Sequence, residues 1–338
     1  MTINSTNIIV TGSAGYLGSP MCFNLLSKGY KVIGIDNFCN SDKSSTDTLK
    51  RYFKNSYKFY NLDIANNKFD LGNIFIRHRP KYVIHFAALK SVHESKKSPE
   101  IYWENNLKCT ENILHAMSKS NCNKIIFSSS AAVYGKQGNK PIKENANLQP
   151  LSVYAETKIA CENIIMKANA IYGIDGISLR YFNPIGFHSS NLFKEKLKNN
   201  NHTIVSEIIK SILDKDKILE IYGHDYPTKD GTCERDFIHI DDLLCAHEKL
   251  INYIENFKGY DVFNVGFGKA ISIKELIYNF IKHDDIILKY KFSKKRDGDI
   301  HYSCADIKKI SSITGWTAKK TIKDMVIDTL KAYKIPND

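Results

Sequence analysis

Tyr154 and Lys158 stand four residues apart in Tyr154-Ala155-Glu156-Thr157-Lys158. On a helix that spacing puts both side chains on one face. A lysine ammonium beside a phenol favours the phenolate and lowers the phenol pKa from about 10. A tyrosine tuned in this way serves as a general acid or base near neutral pH. The bare spacing is common on solvated helix faces, so its meaning depends on its surroundings. A second set lies in Ile8-Ile9-Val10-Thr11-Gly12-Ser13-Ala14-Gly15-Tyr16-Leu17-Gly18. Here three glycines follow an apolar run and open a helical pattern. Gly12 permits a tight turn, Gly15 lets backbone approach a pyrophosphate, and Gly18 lets helix and strand pack closely. The helix opened by Tyr16 and Leu17 offers free N–H groups and a partial positive charge to phosphate. The next apolar run ends at Asp36. Its carboxylate can accept hydrogen bonds from ribose hydroxyls and would repel a 2′-phosphate, which favours NAD over NADP. In Phe86-Ala87-Ala88, after another apolar run, small residues let the chain pass close beneath such a cofactor.

These residues need elements to hold them. Apolar runs at 7–10, 31–35, 57–62, 81–86, 124–128 and 176–182 read as strands. Most are nearly continuous in hydrophobicity, as strands buried on both faces should be. Helical patterns at 16–28, 101–118 and 152–172 lie between them. The β-α-β alternation predicts an α/β fold, a doubly wound parallel Rossmann-like sheet. Residues 1–182 would form an NAD-binding domain. Residues 183–338 would form a smaller, mainly substrate-binding part, with some segments returning to the first domain. In that second part 219–222 and 262–265 read as strands. A helix at 273–282 is opened by Ser272 and Glu275 at capping-box spacing. The polar stretch 187–201 reads as a long loop of the kind that covers ligands.

Composition narrows the field. A chain of 338 residues, 43% hydrophobic and 25% charged, is globular and long enough for a large core. No apolar run approaches the ~20 residues of a membrane helix. Residues 1–10 lack a basic region followed by an apolar one, so the expected location is cytoplasmic. The formal charge of +12 raises the question of nucleic acid, but the lysines are scattered from end to end. A lysine-rich solvated surface with a basic cleft for anionic ligands is the better reading. The eight cysteines form no C-x-x-C pair and have no clustered histidines, so no metal site and no disulfide framework are expected.

The G-x-x-G-x-x-G spacing resembles the short-chain dehydrogenase/reductase superfamily in its extended form. In that superfamily an Asp-Ile pair such as Asp63-Ile64 holds the adenine edge. A serine at a strand end, here Ser130 in Ser128-Ser129-Ser130-Ala131-Ala132-Val133-Tyr134-Gly135, completes a Ser-Tyr-Lys set with Tyr154 and Lys158. Dehydratases of the superfamily carry acids where Ala131 and Ala132 stand, so dehydration is disfavoured. Over nearly its whole length the chain resembles the UDP-glucose 4-epimerase family. The resemblance is carried by 12–18, 36–41, 85–90, Tyr102-Trp103-Glu104-Asn105-Asn106, 128–135, 154–158 and Arg180-Tyr181-Phe182-Asn183-Pro184. Its most specific part is the stretch 223–232 with Arg235-Asp236-Phe237-Ile238-His239.

The resemblance implies that Asp36, Asn37, Asn40, Ser41, Asp63, Ile64, Phe86, Lys90 and Asn106 contact NAD, beside the glycine run, Ala87 and Ala88. Tyr154, Lys158 and Tyr181 would lie near the nicotinamide. A UDP-sugar would meet Asn183, Lys90, Ser130 and Tyr154. Its uracil would lie on Tyr222 and its diphosphate on Arg235 and Arg296, the latter in a motif similar to R-x-G-D that ends at Asp299. Homodimer formation is implied in the same way. Two departures matter. The family's Asn-Asn-Leu diphosphate contact is not recognisable; ungapped counting places Thr203 there, and a short shift places Asn201. Ser303 stands where the family flanks the sugar 2-substituent, and a small residue there leaves room for an N-acetyl group. Three alternatives stay open: a dehydratase, a net-redox reductase, and an NAD-binding regulator without catalysis.

Overall fold

The computed structural model describes residues 6–193, 203–282, 286–296 and 298–335. In chain order the strands are β1 (Asn7–Thr11), β2 (Lys31–Asp36), β3 (Tyr57–Asn61), β4 (Tyr82–His85), β5 (Lys124–Ser130), β6 (Asp175–Tyr181), β7 (Asn183–Ile185), β8 (Leu219–Tyr222), β9 (Glu234–His239), β10 (Tyr260–Val265), β11 (Ala270–Ser272), β12 (Tyr290–Ser293) and β13 (Tyr302–Ser303). The helices are α1 (Gly18–Ser27), α2 (Lys43–Tyr52), α3 (Lys68–His78), α4 (Val92–Lys97), α5 (Pro99–Ser118), α6 (Val153–Tyr172), α7 (Ile204–Leu213), α8 (Ile240–Ile254), α9 (Ile273–Ile281), α10 (Lys308–Thr314) and α11 (Ile322–Ala332). A short 3₁₀ turn covers Ala131–Tyr134.

The six apolar runs of the first half, joined by β10 from the second, form a seven-stranded sheet in the order β10-β6-β5-β4-β1-β2-β3. The pairs β1/β2, β1/β4, β2/β3 and β4/β5 are parallel. This is the doubly wound α/β sheet expected from the strand–helix alternation. Central strands are apolar throughout because both faces are covered: Ile8, Ile9 and Val10 are buried in succession. On one face Ile9, Ile33, Val83, Ile125 and Phe127 pack with Ile113, Leu114 and Met117 of α5 and Cys161 and Ile165 of α6. The chain divides into two compact units. One comprises Met1–Val133, Pro150–Arg180 and Ala246–Phe263; the other comprises Tyr134–Gln149, Tyr181–Cys245 and Asn264–Asp338. The second unit has its own core, in which Ile208, Ile221, Phe237, Leu276, Phe280, Val326 and Leu330 meet.

The expected strands and helices recur with ends shifted by two residues or fewer. α6 is entered at Ser152, whose hydroxyl accepts from Ala155 N–H, and left at Gly173 with φ +65. At α9 the Ser272 hydroxyl accepts from Glu275 N–H, the Ser272 half of the expected box. Several elements gave no clear apolar period. α2 buries only Thr46 and Leu49, and β9 begins with Glu234, Arg235 and Asp236. The loop expected at 187–201 falls outside the described residues from 194 onward, as does Asn201; Thr203 caps α7 through its hydroxyl. Among the described residues no helix is long and apolar enough to cross a membrane, and no group of three or more His, Cys, Asp or Glu could hold a metal ion.

Two buried imidazoles make stability sensitive to acid. His85 Nδ1 lies 2.8 Å from Thr11 Oγ1 and its Nε2 3.2 Å from Thr110 Oγ1. His247 packs on the ring of Phe86, with centroids 5.0 Å apart. Burial holds both imidazoles down to about 3, with Lys158 adding to the effect at His85. In the unfolded chain they take up protons near 6.5. Their contribution is therefore complete above pH 6.5 and is lost as pH falls towards 3, about 1.4 kcal/mol per pH unit for each. Asp236, pushed up to about 6 by burial, acts in the opposite sense, because the folded state binds its proton first. The net loss from these three groups by pH 5 is on the order of 2–3 kcal/mol. Urea unfolding between pH 5 and 7.5 measures it. His85→Gln, which keeps a donor and an acceptor for the two threonines, should halve the histidine part of the slope; a flat wild-type profile would contradict the assignment.

Candidate active site

β1 delivers the chain into a turn that only glycine fits. Gly12 has φ +66, and a Cβ there would lie 2.8 Å from Ala87 N. A Cβ on Gly18 would lie 2.0 Å from Gly12 O. Backbone therefore touches backbone at both positions, and a methyl group would force them apart. At Gly15 the nearest atom is Gly12 O at 3.2 Å, a tight but less absolute limit. Gly15 N–H bonds Gly12 O at 3.1 Å, so the turn runs through Tyr16 and Leu17 and α1 begins at Gly18. The N-terminus of α1 has no side-chain cap and no acid in its first turn. Its N–H groups and positive end suit an anionic ligand such as a pyrophosphate. The cradle thus fits NAD by shape and by charge.

Asp36 ends β2 and is built into the same turn. Its Oδ2 accepts from Ala14 N–H at 3.0 Å, and its Oδ1 accepts from Phe38 N–H and Ser41 Oγ at 2.8 Å each. Phe38 has φ +59, a left-handed conformation imposed where the chain folds around that carboxylate. Asn37 Oδ1 accepts from Cys39 N–H, and Asn40 is exposed. Asp63 forms a turn by accepting from Ala65 N–H and Asn66 Nδ2, with Ile64 buried behind it. Phe86 and Ala88 are half-buried, and Ala87 N–H bonds Thr11 Oγ1 at 3.3 Å. Lys90 Nζ stands 5.8 Å from the Tyr16 ring centroid. Asn106 is more committed than its expected role suggests. Its Oδ1 accepts from Leu89 N–H and its Nδ2 donates to Leu89 O and Thr157 Oγ1, so it clamps the loop before Lys90 to α6.

α6 and β5 bring Ser130, Tyr154 and Lys158 together in the first unit. The Ser130 hydroxyl lies beside the Tyr154 phenol, and its Oγ accepts from Ala132 N–H at 3.2 Å. Lys158 Nζ donates to Ser128 O at 2.7 Å and sits 4.7 Å from the Phe127 ring centroid. It lies 5.8 Å from the Tyr154 ring centroid. Burial pushes the Tyr154 phenol up to about 12, with Ser130 pulling against it. Burial also brings Lys158 down to about 8, with Cys161, Glu162 and Cys109 holding it up. The phenol therefore moves opposite to the direction expected from the Tyr–Lys spacing. The reason is geometric: the ammonium is aimed at a carbonyl and a ring face, so desolvation dominates. Positions 131 and 132 begin the 3₁₀ turn and carry no acid.

The second unit gathers another group. Ser303 pairs with Arg235 across β13 and β9, and Arg235 Nη1 donates to Glu234 O. Asn183 pairs with Phe237 of β9. The Arg296 guanidinium carbon stacks 3.6 Å from the centroid of Tyr222, whose hydroxyl donates to Glu220. Asp299 accepts from Tyr226 OH at 3.3 Å, and its N–H bonds Arg296 O. Tyr181 is buried at the end of β6. Thr203 is engaged in its helix cap. Asp236, named only as part of a motif, proves to be the tie of this region. It accepts from Phe267, Gly268 and Ala305 N–H and so fixes the chain just beyond Ser303. Its neighbour Arg235 in a mixed-charge strand was the only sequence signal.

Comparison with known proteins places this arrangement. The model of the NAD dependent epimerase/dehydratase family matches residues 8–266. The UDP-glucose 4-epimerase of Bacillus subtilis is 36% identical over 323 residues, 95% of each chain. The crystal structure of a UDP-glucose 4-epimerase from Stenotrophomonas maltophila, with bound NAD and formylated UDP-arabinopyranose, has a TM-score of 0.92 and 33% identity over 97% of this chain and 98% of that one. A second, from Bifidobacterium longum in complex with NAD+ and UDP, has a TM-score of 0.89 and 35% identity with the same coverage. A whole-length match in sequence and fold, together with the glycine cradle and the Ser130, Tyr154 and Lys158 set, means that this chain belongs to the NAD dependent epimerase/dehydratase family.

Proposed function

We propose that this chain is an NAD-dependent UDP-hexose 4-epimerase that interconverts UDP-glucose and UDP-galactose. The observation that carries the reading is the buried Tyr154 phenol with the Ser130 hydroxyl and the Lys158 ammonium beside it, in a chain whose strand end offers no acid at 131 or 132. NAD, when bound, supplies a hydride acceptor that also gives the hydride back, so turnover needs no external redox partner. Gly12, Gly15, Tyr16, Leu17 and Gly18 hold its pyrophosphate, and Asp36, Asn37, Asn40 and Ser41 face its adenosine ribose. Asp63, Ile64, Phe86, Ala87, Ala88, Lys90, Asn106 and Tyr181 complete that contact set. Tyr154 takes the proton of the sugar 4-hydroxyl and later returns it, while Ser130 hydrogen-bonds the same oxygen. Lys158, largely cationic at neutral pH with a pKa of about 8, stands 5.8 Å from the Tyr154 ring centroid and holds the strand end through Ser128 O.

Arg235 and Arg296 take the diphosphate, where guanidinium forks suit phosphate oxygens. Tyr222 offers a ring to the uracil, and Asn183, Thr203, Asp299 and Lys90 are further substrate contacts. A homodimer is supported by apolar side chains left exposed on α5 and α6, among them Ile101, Trp103 and Met166. A cytoplasmic location suits eight cysteines that form no disulfide. Ser303 is half-buried and small, and its place opposite Arg235 supports acceptance of UDP-N-acetylhexosamines as well.

Incubation with UDP-glucose and with UDP-GlcNAc, followed by product analysis, tests the assignment. Tyr154→Phe should lower kcat at least about 100-fold, the usual scale for a lost general acid–base group. Wild-type turnover in that protein would remove Tyr154 from its role. Ser303→Tyr should abolish N-acetylhexosamine turnover and spare the hexose reaction; equal loss of both would reject the wider pocket.

A further inference from the structure

Glu162 lies one turn beyond Lys158 on α6, which itself lies one turn beyond Tyr154. The three side chains share one face of the helix. Glu162 is nevertheless buried away from any proton-transfer role. Its Oε1 accepts from Ser129 Oγ at 2.5 Å and from Arg180 Nε at 3.0 Å, and its Oε2 accepts from Arg180 Nη2 at 2.6 Å. Both charged side chains are 5% exposed. A buried ion pair is a poor route to stability, because an apolar pair of similar volume avoids the desolvation of two charges. A bidentate carboxylate–guanidinium pair does provide a fixed plane and a fixed direction for the lone pair left over. Here that lone pair is taken by Ser129, the residue between Ser128 and Ser130. Ser128 O receives the Lys158 ammonium, and the Ser130 hydroxyl lies beside Tyr154. Ser129 points to the opposite side of the strand from its two neighbours, so it is the one side chain of the three free to anchor that strand end.

We propose that Glu162, held by Arg180, is a positioning residue that fixes the Ser128–Ser130 strand end through Ser129, and so sets Ser130 and the Lys158 acceptor against Tyr154. This rests on the epimerase reading above. α6, β5 and β6 are tied at one carboxylate, and neither Glu162 nor Arg180 touches the reacting atoms.

Ser129→Ala removes the tether without exposing a buried charge. It should lower kcat for UDP-glucose about tenfold with KM within about twofold, since small misplacement of reacting groups is felt in the chemical step. Hydrogen exchange of the backbone amides of 128–134 should accelerate about tenfold while other segments keep their rates. The double variant Glu162→Gln with Arg180→Met avoids leaving one buried charge alone. It should also move the basic limb of the kcat–pH profile to lower pH. The groups facing Lys158 are Tyr154, Cys161 and Glu162 on α6, Cys109 on α5, His85 on β4 and the Ser128 carbonyl on β5. Of these only Glu162 is a carboxylate that supports the ammonium. Unchanged exchange at 128–134 in Ser129→Ala overturns the proposal, and so does wild-type kcat or a loss seen only in KM. A wild-type protein inactive on UDP-glucose would instead defeat the epimerase reading, and the exchange measurement would still decide the positioning.

Discussion

The hydrogen bond from Lys158 Nζ to Ser128 O is the contact on which the candidate chemistry depends. It joins a helix face to the end of a central strand, and it does so with a charge. A lysine buried in this way gives up solvation, which is why its pKa falls to about 8. The carbonyl, the Phe127 ring face and the Glu162 carboxylate return part of what water supplied. Were the ammonium free to swing into solvent, it would leave its place 5.8 Å from the Tyr154 ring centroid. Because it is pinned, Tyr154 and Ser130 meet at a defined place on a rigid sheet rather than on a loop.

A second constraint works through the absence of side chains. Gly12 and Gly18 let two backbone segments touch where any Cβ would intrude. The glycine turn is thereby packed against the ends of β1 and β4, and Thr11 Oγ1 bonds both Ala87 N–H and His85. His85 is neutral because it is buried, so it ties β4 to β1 without adding a second cation beside Lys158. The glycine turn and the Ser130 strand end thus lie on one sheet, with β4 between β1 and β5.

How much of this was legible depended on whether a residue's job follows local spacing. Gly12, Gly15 and Gly18 announce a turn by type and interval, and Tyr154 with Lys158 announce a shared helix face. β1, β2 and β4 were readable because burial on both faces leaves unbroken apolar runs. By contrast α2 exposes most of its length, and β9 opens on three charged residues, so neither carries a period. Asn106 reads as a polar contact residue, yet its amide is spent on Leu89 and Thr157. Charged residues such as Glu162, Arg180 and Asp236 carry no local sign of burial, because their partners lie 18 or more residues away. The direction of the Tyr154 shift was missed for a related reason. Spacing shows that a lysine is near, but not that its ammonium is turned to a carbonyl.

That last point bears on how the site would work. A phenol held near 12 and an ammonium near 8 leave Tyr154 protonated and Lys158 largely charged at neutral pH in the bare protein. The arrangement resists premature ionisation. Added positive charge near the phenol oxygen favours the phenolate and acts directly to lower the ammonium's pKa, while the phenolate so formed acts to raise it. The two groups therefore respond to a charged ligand in concert, as an interacting pair rather than as separate acids. Burial, which opposes ionisation in the bare protein, is also what makes each added charge count once a ligand has excluded water.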